Sequence, residues 1–270
     1  MLKFRLFFCI KLLTLISTLA FGQSNELNSV LPEKAISLVG LRTIKHGPNC
    51  FNTALIGSSA LDYVRYTSSL EMLSLLNSPI CEKIVPGEQK PGDIQVYFHQ
   101  LEGLDEPESL AHANIWLSKD LAFNKMSLYS GSAYDIVTNQ AVLEKYQYYT
   151  DAVVFNQTQS DGTNLQVRCP PNIQCENKIA YFRCNQKIGD YILINTKNDM
   201  LLNVYNKIKI IEQKVEQLVF SKKEPSYSLI SETNNLKDIL LKPTRLSEKD
   251  LFIADYLKKA LDSISKQYKF

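Results

Sequence analysis

Two short runs, His112 to Leu117 and Leu121 to Met126, are separated only by Ser118-Lys119-Asp120. That spacing reads as a β-hairpin, although the turn lacks the strongest two-residue signal. A hairpin commits this part of the chain to antiparallel pairing. Upstream, Asp93 to Phe98 alternates roughly apolar with polar and supplies a strand. Asp151 to Asn156 and Ile179 to Cys184 are further strand candidates. Helical patterns lie on both sides. Cys50 to about Leu61 and Ser69 to Leu76 precede the strands, and Pro79, Pro86-Gly87 and Pro91-Gly92 punctuate a loop that holds Cys81. From about Lys197 to Lys222, Leu201, Tyr205, Ile208, Ile211, Val215 and Leu218 keep to one stripe. A shorter helical stretch covers Leu236–Leu241. Another helix starts at Ser247, with Leu251, Ala254, Leu257, Leu261 and Ile264 as its apolar face. The fold class expected is α+β.

Lys3 and Arg5 open the chain, Leu6 to Leu19 is mostly apolar, and Ala20-Phe21-Gly22 carries small residues at the two positions a signal peptidase reads. We therefore expect a signal peptide over 1–22 and a secreted or periplasmic mature protein. The apolar run, broken by Lys11, is too short for a stable membrane anchor. Loss of Lys3, Arg5 and Lys11 takes the formal charge from +2 to −1. A near-neutral mature chain gives no electrostatic case for nucleic acid.

Cys9 leaves with the signal, so Cys50, Cys81, Cys169, Cys175 and Cys184 remain, an odd number for an oxidising compartment. One thiol is expected to stay free. The other four allow three pairings, and the closeness of Cys169, Cys175 and Cys184 points to a bridge among them. Neither the cysteine spacing nor the three histidines match a zinc site. No metal and no cofactor is expected.

Cys50 stands apart because of its setting. In His46-Gly47-Pro48-Asn49-Cys50-Phe51, a turn delivers the thiol to a helix start, with Asn49 as N-cap. The positive end of the helix dipole there favours thiolate. A cysteine nucleophile needs a base, and the base needs a partner that orients its ring. His112 opens one hairpin strand, and Asn124, twelve residues on, lies in the returning strand. The far ends of a tight hairpin lie side by side, so the Asn124 amide oxygen can take one ring nitrogen and leave the other for Cys50. Arg65, beside Tyr66, reads as a structural ion pair, with a substrate carboxylate as the alternative partner. Trp116 reads as core.

The order of helix-start Cys50, then Pro91-Gly92-Asp93-Ile94, then His112-Ala113-Asn114-Ile115-Trp116-Leu117, then a polar residue twelve after the histidine resembles the NlpC/P60 cysteine peptidases, which are papain-like cell-wall hydrolases. The likeness covers roughly residues 45–156. It implies a papain-like core of helices packed on a small antiparallel sheet, with a C-terminal helical appendage. It also implies Cys50 as nucleophile, His112 as base and Asn124 as orienter. The substrate implied is an amide in peptidoglycan stem peptides, next to the diamino acid. The chain departs from the family at Phe51-Asn52, where Ser and often Gly follow the cysteine. The division expected is a catalytic domain over 23–156, a cysteine-containing connector over 157–190 and a helical region over 191–270. Two alternatives keep parts of this reading. One is a CHAP-like amidase or acyltransferase on another amide or ester. The other is a catalytically inactive envelope-binding or assembly protein.

Overall fold

The computed structural model describes residues 29–99, 109–149, 155–158, 164–167, 175–241 and 246–269. The expected signal peptide and Cys169 lie outside these residues, as do positions 151–154 of one strand candidate. Helices α1 (Glu33–Leu38), α2 (Cys50–Gly57) and α3 (Ser69–Leu76) come first. Strands β1 (Cys81–Ile84), β2 (Ile94–His99), β3 (Ser109–Trp116), β4 (Leu121–Lys125) and β5 (Tyr134–Thr138) follow. Next come α4 (Asn139–Tyr146), β6 (Tyr148–Tyr149), β7 (Phe155–Thr158), β8 (Asn164–Val167) and β9 (Cys175–Cys184). Four helices end the chain: α5 (Ile188–Asn195), α6 (Asp199–Val219), α7 (Tyr227–Leu240) and α8 (Glu248–Gln267). The protein is α+β. Its main sheet is antiparallel throughout, in the order β1-β9-β2-β3-β4-β5, with β6 paired to the far end of β9 and β7-β8 forming a separate hairpin.

The segment expected to be a connector, 157–190, thus supplies a strand to the interior of the sheet. β9 runs between β1 and β2, and the ladder includes Cys81↔Cys184 and Ile94↔Phe182. Cys81, expected in a loop, begins β1 and is disulfide-bonded to its ladder partner Cys184. The expected bridge within the 169–184 cluster therefore does not use Cys184. One residue earlier, Arg183 holds Asp93 through two hydrogen bonds of 2.8 Å, tying β9 to the Pro91-Gly92-Asp93 turn that starts β2. No local pattern announces a pairing across 103 residues. The disulfide fits an oxidising, extracytoplasmic compartment. Among the described residues, no helix is long and apolar enough to cross a membrane.

One face of the sheet is apolar. Ile94, Val96, Ala113, Ile115, Phe123, Ala180 and Phe182 all join the buried core. α2 packs on this face and is itself buried along nearly its whole length. A side chain at Gly57 would place its Cβ 2.4 Å from Ile115 Cγ1, so the glycine lets the helix approach β3 closely. Phe51 is 8% exposed and belongs to this core. Trp116, expected there, is half-buried.

The C-terminal helices are built into the same core. Leu201, Val204, Ile208, Ile211, Val215 and Val219 form the buried stripe of α6. Val204 and Val219 take the places expected of Tyr205 and Leu218, which are partly buried against the core. On α8 the buried face is Ile253, Leu257, Ala260, Leu261 and Ile264, while Leu251 is 56% exposed. The first turn of α8 lies at the edge of the helical layer, where Ser247 caps it by accepting from the Asp250 N–H. Three contacts then carry the helices to the segment that precedes and follows α2. Gln267 accepts from the Tyr66 N–H at 2.8 Å and donates to the His46 carbonyl at 2.7 Å. Ser263 Oγ accepts from the Ser68 N–H at 3.0 Å. Arg65, fully buried, donates from Nε to Glu212 of α6 at 2.6 Å and from both terminal nitrogens to Glu71 of α3 at 2.6 and 2.9 Å. Arg65 is a structural ion-pair centre, as the sequence reading favoured. Gly47, at φ +126°, has the Gln267 amide where a Cβ would stand, and so permits both the turn and the clamp.

Candidate active site

Cys50 is the first residue of α2. Asn49 caps the helix by accepting from the Asn52 N–H at 3.2 Å, while its own amide donates to the Thr67 carbonyl at 2.7 Å. The turn is thus fastened on both sides of the thiol. Cys50 is half-buried and its thiol is free.

The hairpin brings the other two residues together diagonally, Asn124 lying level with Asn114 in the strand register. His112 Nε2 and Asn124 Oδ1 are 3.0 Å apart, and both residues are buried. β3 and β4 pair only at Ile115↔Phe123 and Trp116↔Ala122, so this contact bridges them beyond the end of their ladder. An amide oxygen only accepts, so Nε2 carries the proton and Nδ1 carries the lone pair. Nδ1 has no hydrogen-bond partner. The Asn124 amide nitrogen is turned to Met126 Sδ at 2.9 Å, which holds the oxygen toward the ring.

The thiol meets β3 at Ala113, the residue after His112, without a hydrogen bond to His112 Nδ1. The backbone N–H groups of Ala113, Phe51 and Cys50 face it. Burial nevertheless pushes the Cys50 thiol up to about 11, against the pull of those amides and of the Lys125 charge. Burial also draws His112 down to about 3, with the Asn124 contact acting the other way. The helix-start field expected to favour thiolate is outweighed by desolvation. The resting pair is neutral thiol and neutral imidazole, not thiolate and imidazolium.

Two residues absent from the sequence reading explain the burial. Tyr146, the last residue of α4, stacks on His112 with ring centroids 3.7 Å apart and planes 6° apart. Its hydroxyl donates to the Met126 carbonyl at 2.6 Å. Tyr97 lies at 6.0 Å from the imidazole, tilted by 53°. Tyr97 shares a ladder position with His112 and could have been found by alternation along β2. Tyr146 had no such signal. Lys125 was also missed. It sits on the α2 side of β4, with Nζ donating to the Ser127 carbonyl at 2.7 Å and the Tyr129 carbonyl at 3.3 Å, and burial lowers it to about 8. His46 is elsewhere in function, accepting at Nδ1 from the Ser130 N–H at 2.7 Å.

A pH test follows from the thiol. With its pKa raised from 9.0 to about 11, only roughly one Cys50 in 10⁴ is thiolate at pH 7. Alkylation of Cys50 by iodoacetamide is expected to be slower at pH 7 than for an ordinary thiol. It should rise about tenfold per pH unit and level off only near the raised value. A plateau reached below pH 8 would contradict a buried, neutral thiol.

The arrangement offers a nucleophile, an oriented base with a free lone pair, and helix-start amides that face the thiol. That set can perform acyl transfer from an amide or ester. No protein-family model matches the chain, and neither a curated protein nor a solved structure matches it.

Proposed function

We propose that this chain is an exported cysteine hydrolase of the NlpC/P60 type that cleaves an amide in peptidoglycan stem peptides. The observation that carries the reading is the His112–Asn124 hydrogen bond at the open end of a hairpin, with His112 Nδ1 left open and the helix-start Cys50 thiol at the backbone of the next residue, Ala113. The disulfide and the signal-like first 22 residues support export.

The neutral resting pair sets the order of events. His112 Nδ1 takes the Cys50 proton as the sulfur attacks the carbonyl carbon, so charge develops only in the transition state. Asn124 keeps the proton on Nε2 and steadies the imidazolium that forms. The Cys50 backbone N–H, at the helix start, donates to the developing oxyanion. His112 then returns the proton to the leaving amine, and water releases the acyl group from sulfur by the same base.

The test is a digest of purified muropeptides with product masses read by mass spectrometry. Cleavage on the amino side of the diamino acid is the expected result. Cleavage at another amide or ester would favour the CHAP-like amidase or acyltransferase reading. An inactive envelope-binding protein is the second reading. It is favoured by the raised thiol and by the Tyr146 stack, and intact muropeptides after prolonged digestion would select it.

A further inference from the structure

Nine buried side-chain polar atoms among the described residues have no hydrogen-bond partner, and five of them lie in one patch. They are Gln95 Oε1, the Tyr97 hydroxyl, His112 Nδ1, and both Nδ2 and Oδ1 of Asn114. The ladder puts Gln95 opposite Asn114 and Tyr97 opposite His112. Residues two apart on a strand share a face, so all four lie on the sheet face opposite α2. Gln95 is 4% exposed, and Tyr97, His112 and Asn114 are fully buried. Buried polar groups are ordinarily paired, and a cluster of orphans calls for an occupant. Part of that demand is met: Gln95 Nε2 donates to the Tyr181 hydroxyl at 3.5 Å. The Tyr97 hydroxyl and the Asn114 side chain also face each other, without settling into a well-formed hydrogen bond. His112 Nδ1 is assigned to the thiol, which leaves Gln95 Oε1 and the remaining capacity of Tyr97 and Asn114 without a task.

We propose that Gln95, Tyr97 and Asn114 form the subsite that holds an uncharged amide of the substrate, a carboxamide or peptide group, beside His112. The donor and acceptor count fits that group. Gln95 Oε1 and Asn114 Oδ1 accept, Asn114 Nδ2 donates, and Tyr97 does either, which matches a ligand that carries both N–H and C=O. The surroundings disfavour a carboxylate. The ladder neighbours on β9 are Tyr181 and Ile179. Arg65 is committed to Glu71 and Glu212, and Lys125 lies on the other face, tied to Ser127 and Tyr129. Lys145 is exposed and donates to the Met126 carbonyl above the Tyr146 ring. A free carboxylate here would be buried with only the exposed Lys145 charge, which is felt at His112, to offset it.

This subsite rests on the cysteine-hydrolase reading, but its test does not need turnover. Two acetylated vinyl sulfones, alike except for a Gln or a Glu side chain next to the warhead, are reacted with wild type, Asn114→Leu and Tyr97→Phe. Addition at Cys50 is followed by intact mass. The ratio of the two rates within one protein cancels any general change in thiol reactivity. Wild type should favour the Gln compound by roughly tenfold or more. Each variant should bring the ratio toward unity. Asn114→Leu should also melt no lower than wild type, since it removes two unpaired buried atoms. Equal rates in wild type, a ratio unmoved by both variants, or no addition of either compound to Cys50 would overturn the subsite. A Gln preference without muropeptide cleavage would leave the subsite standing and remove the substrate reading. Muropeptide cleavage with equal vinyl sulfone rates would do the reverse.

Discussion

Replacing His112 by Ala should lower muropeptide cleavage by about 10³–10⁴-fold in kcat, with little change in KM. The size follows from the thiol. At pH 7 a group raised to about 11 supplies almost no thiolate by itself, so removing the base removes the route by which the nucleophile forms. The residual rate of the variant should climb about tenfold per pH unit toward pH 11, because hydroxide then does the work of Nδ1. In wild type no such climb is expected above pH 4, since His112 at about 3 is already neutral there. Asn124→Ala keeps the base but frees the ring. Misplacement of this order costs about 10²-fold. The check is a kcat–pH series for the three proteins. A His112→Ala enzyme within tenfold of wild type at pH 7 would mean that another group takes the proton.

Arg65→Met should destabilise the protein by about 3–5 kcal/mol at pH 7, a fall in melting temperature of roughly 6–20 °C. The guanidinium is fully buried and is held by both oxygens of Glu71 and by Glu212. Its removal strands carboxylates that burial has taken from water. The energy of the pair itself is not the measure of this loss; the uncompensated charge left behind is. Burial raises Glu212 above its ordinary value even with Arg65 present. A carboxyl raised on folding contributes stability at low pH that is lost as pH rises through its folded pKa. The deficit of Arg65→Met should therefore shrink as pH falls and Glu212 takes up a proton. Adding Glu212→Gln should recover part of it at pH 7. Thermal melts of the single and double variants between pH 4 and 8 check this. An Arg65→Met protein as stable as wild type at pH 7 would show that the site is wet.

The same ion pair shows why the C-terminal helices matter to chemistry. Arg65–Glu212, Gln267 with Tyr66 and His46, and Ser263 with Ser68 all grip the chain within a few residues of α2. What the sequence presented as an appendage is the wall against which the Cys50 turn is set.

The parts of the site that could be read in advance were those set by local rules. A three-residue turn sets the hairpin register, which puts Asn124 level with Asn114; His112, two residues earlier on the same face of β3, reaches Asn124 diagonally, so the pair was legible as neighbours on one face and not as a directly opposed couple. The Asn49 and Ser247 caps were equally local, and both accept the expected backbone N–H groups. The parts that escaped depend on distant chain. β1 has only four residues, and its pairing with β9 is secured by Cys184 and Arg183 far along the sequence. Tyr146 reaches His112 through a short helix of weak apolar pattern. The acidity of Cys50 was read from the helix dipole, a local term. In the folded chain the desolvation imposed by Tyr146, β3 and the core is larger and has the opposite sign.

In the proposed mechanism Cys50 carries the acyl group of a stem peptide. Wild type and Cys50→Ala, incubated with the same muropeptides and quenched in acid, give the most direct reading by mass. The expected result is release of the diamino-acid fragment by wild type, with a transient thioester mapped to Cys50, and neither with Cys50→Ala. Cleavage by Cys50→Ala at the wild-type rate, or no cleavage by wild type, would contradict it.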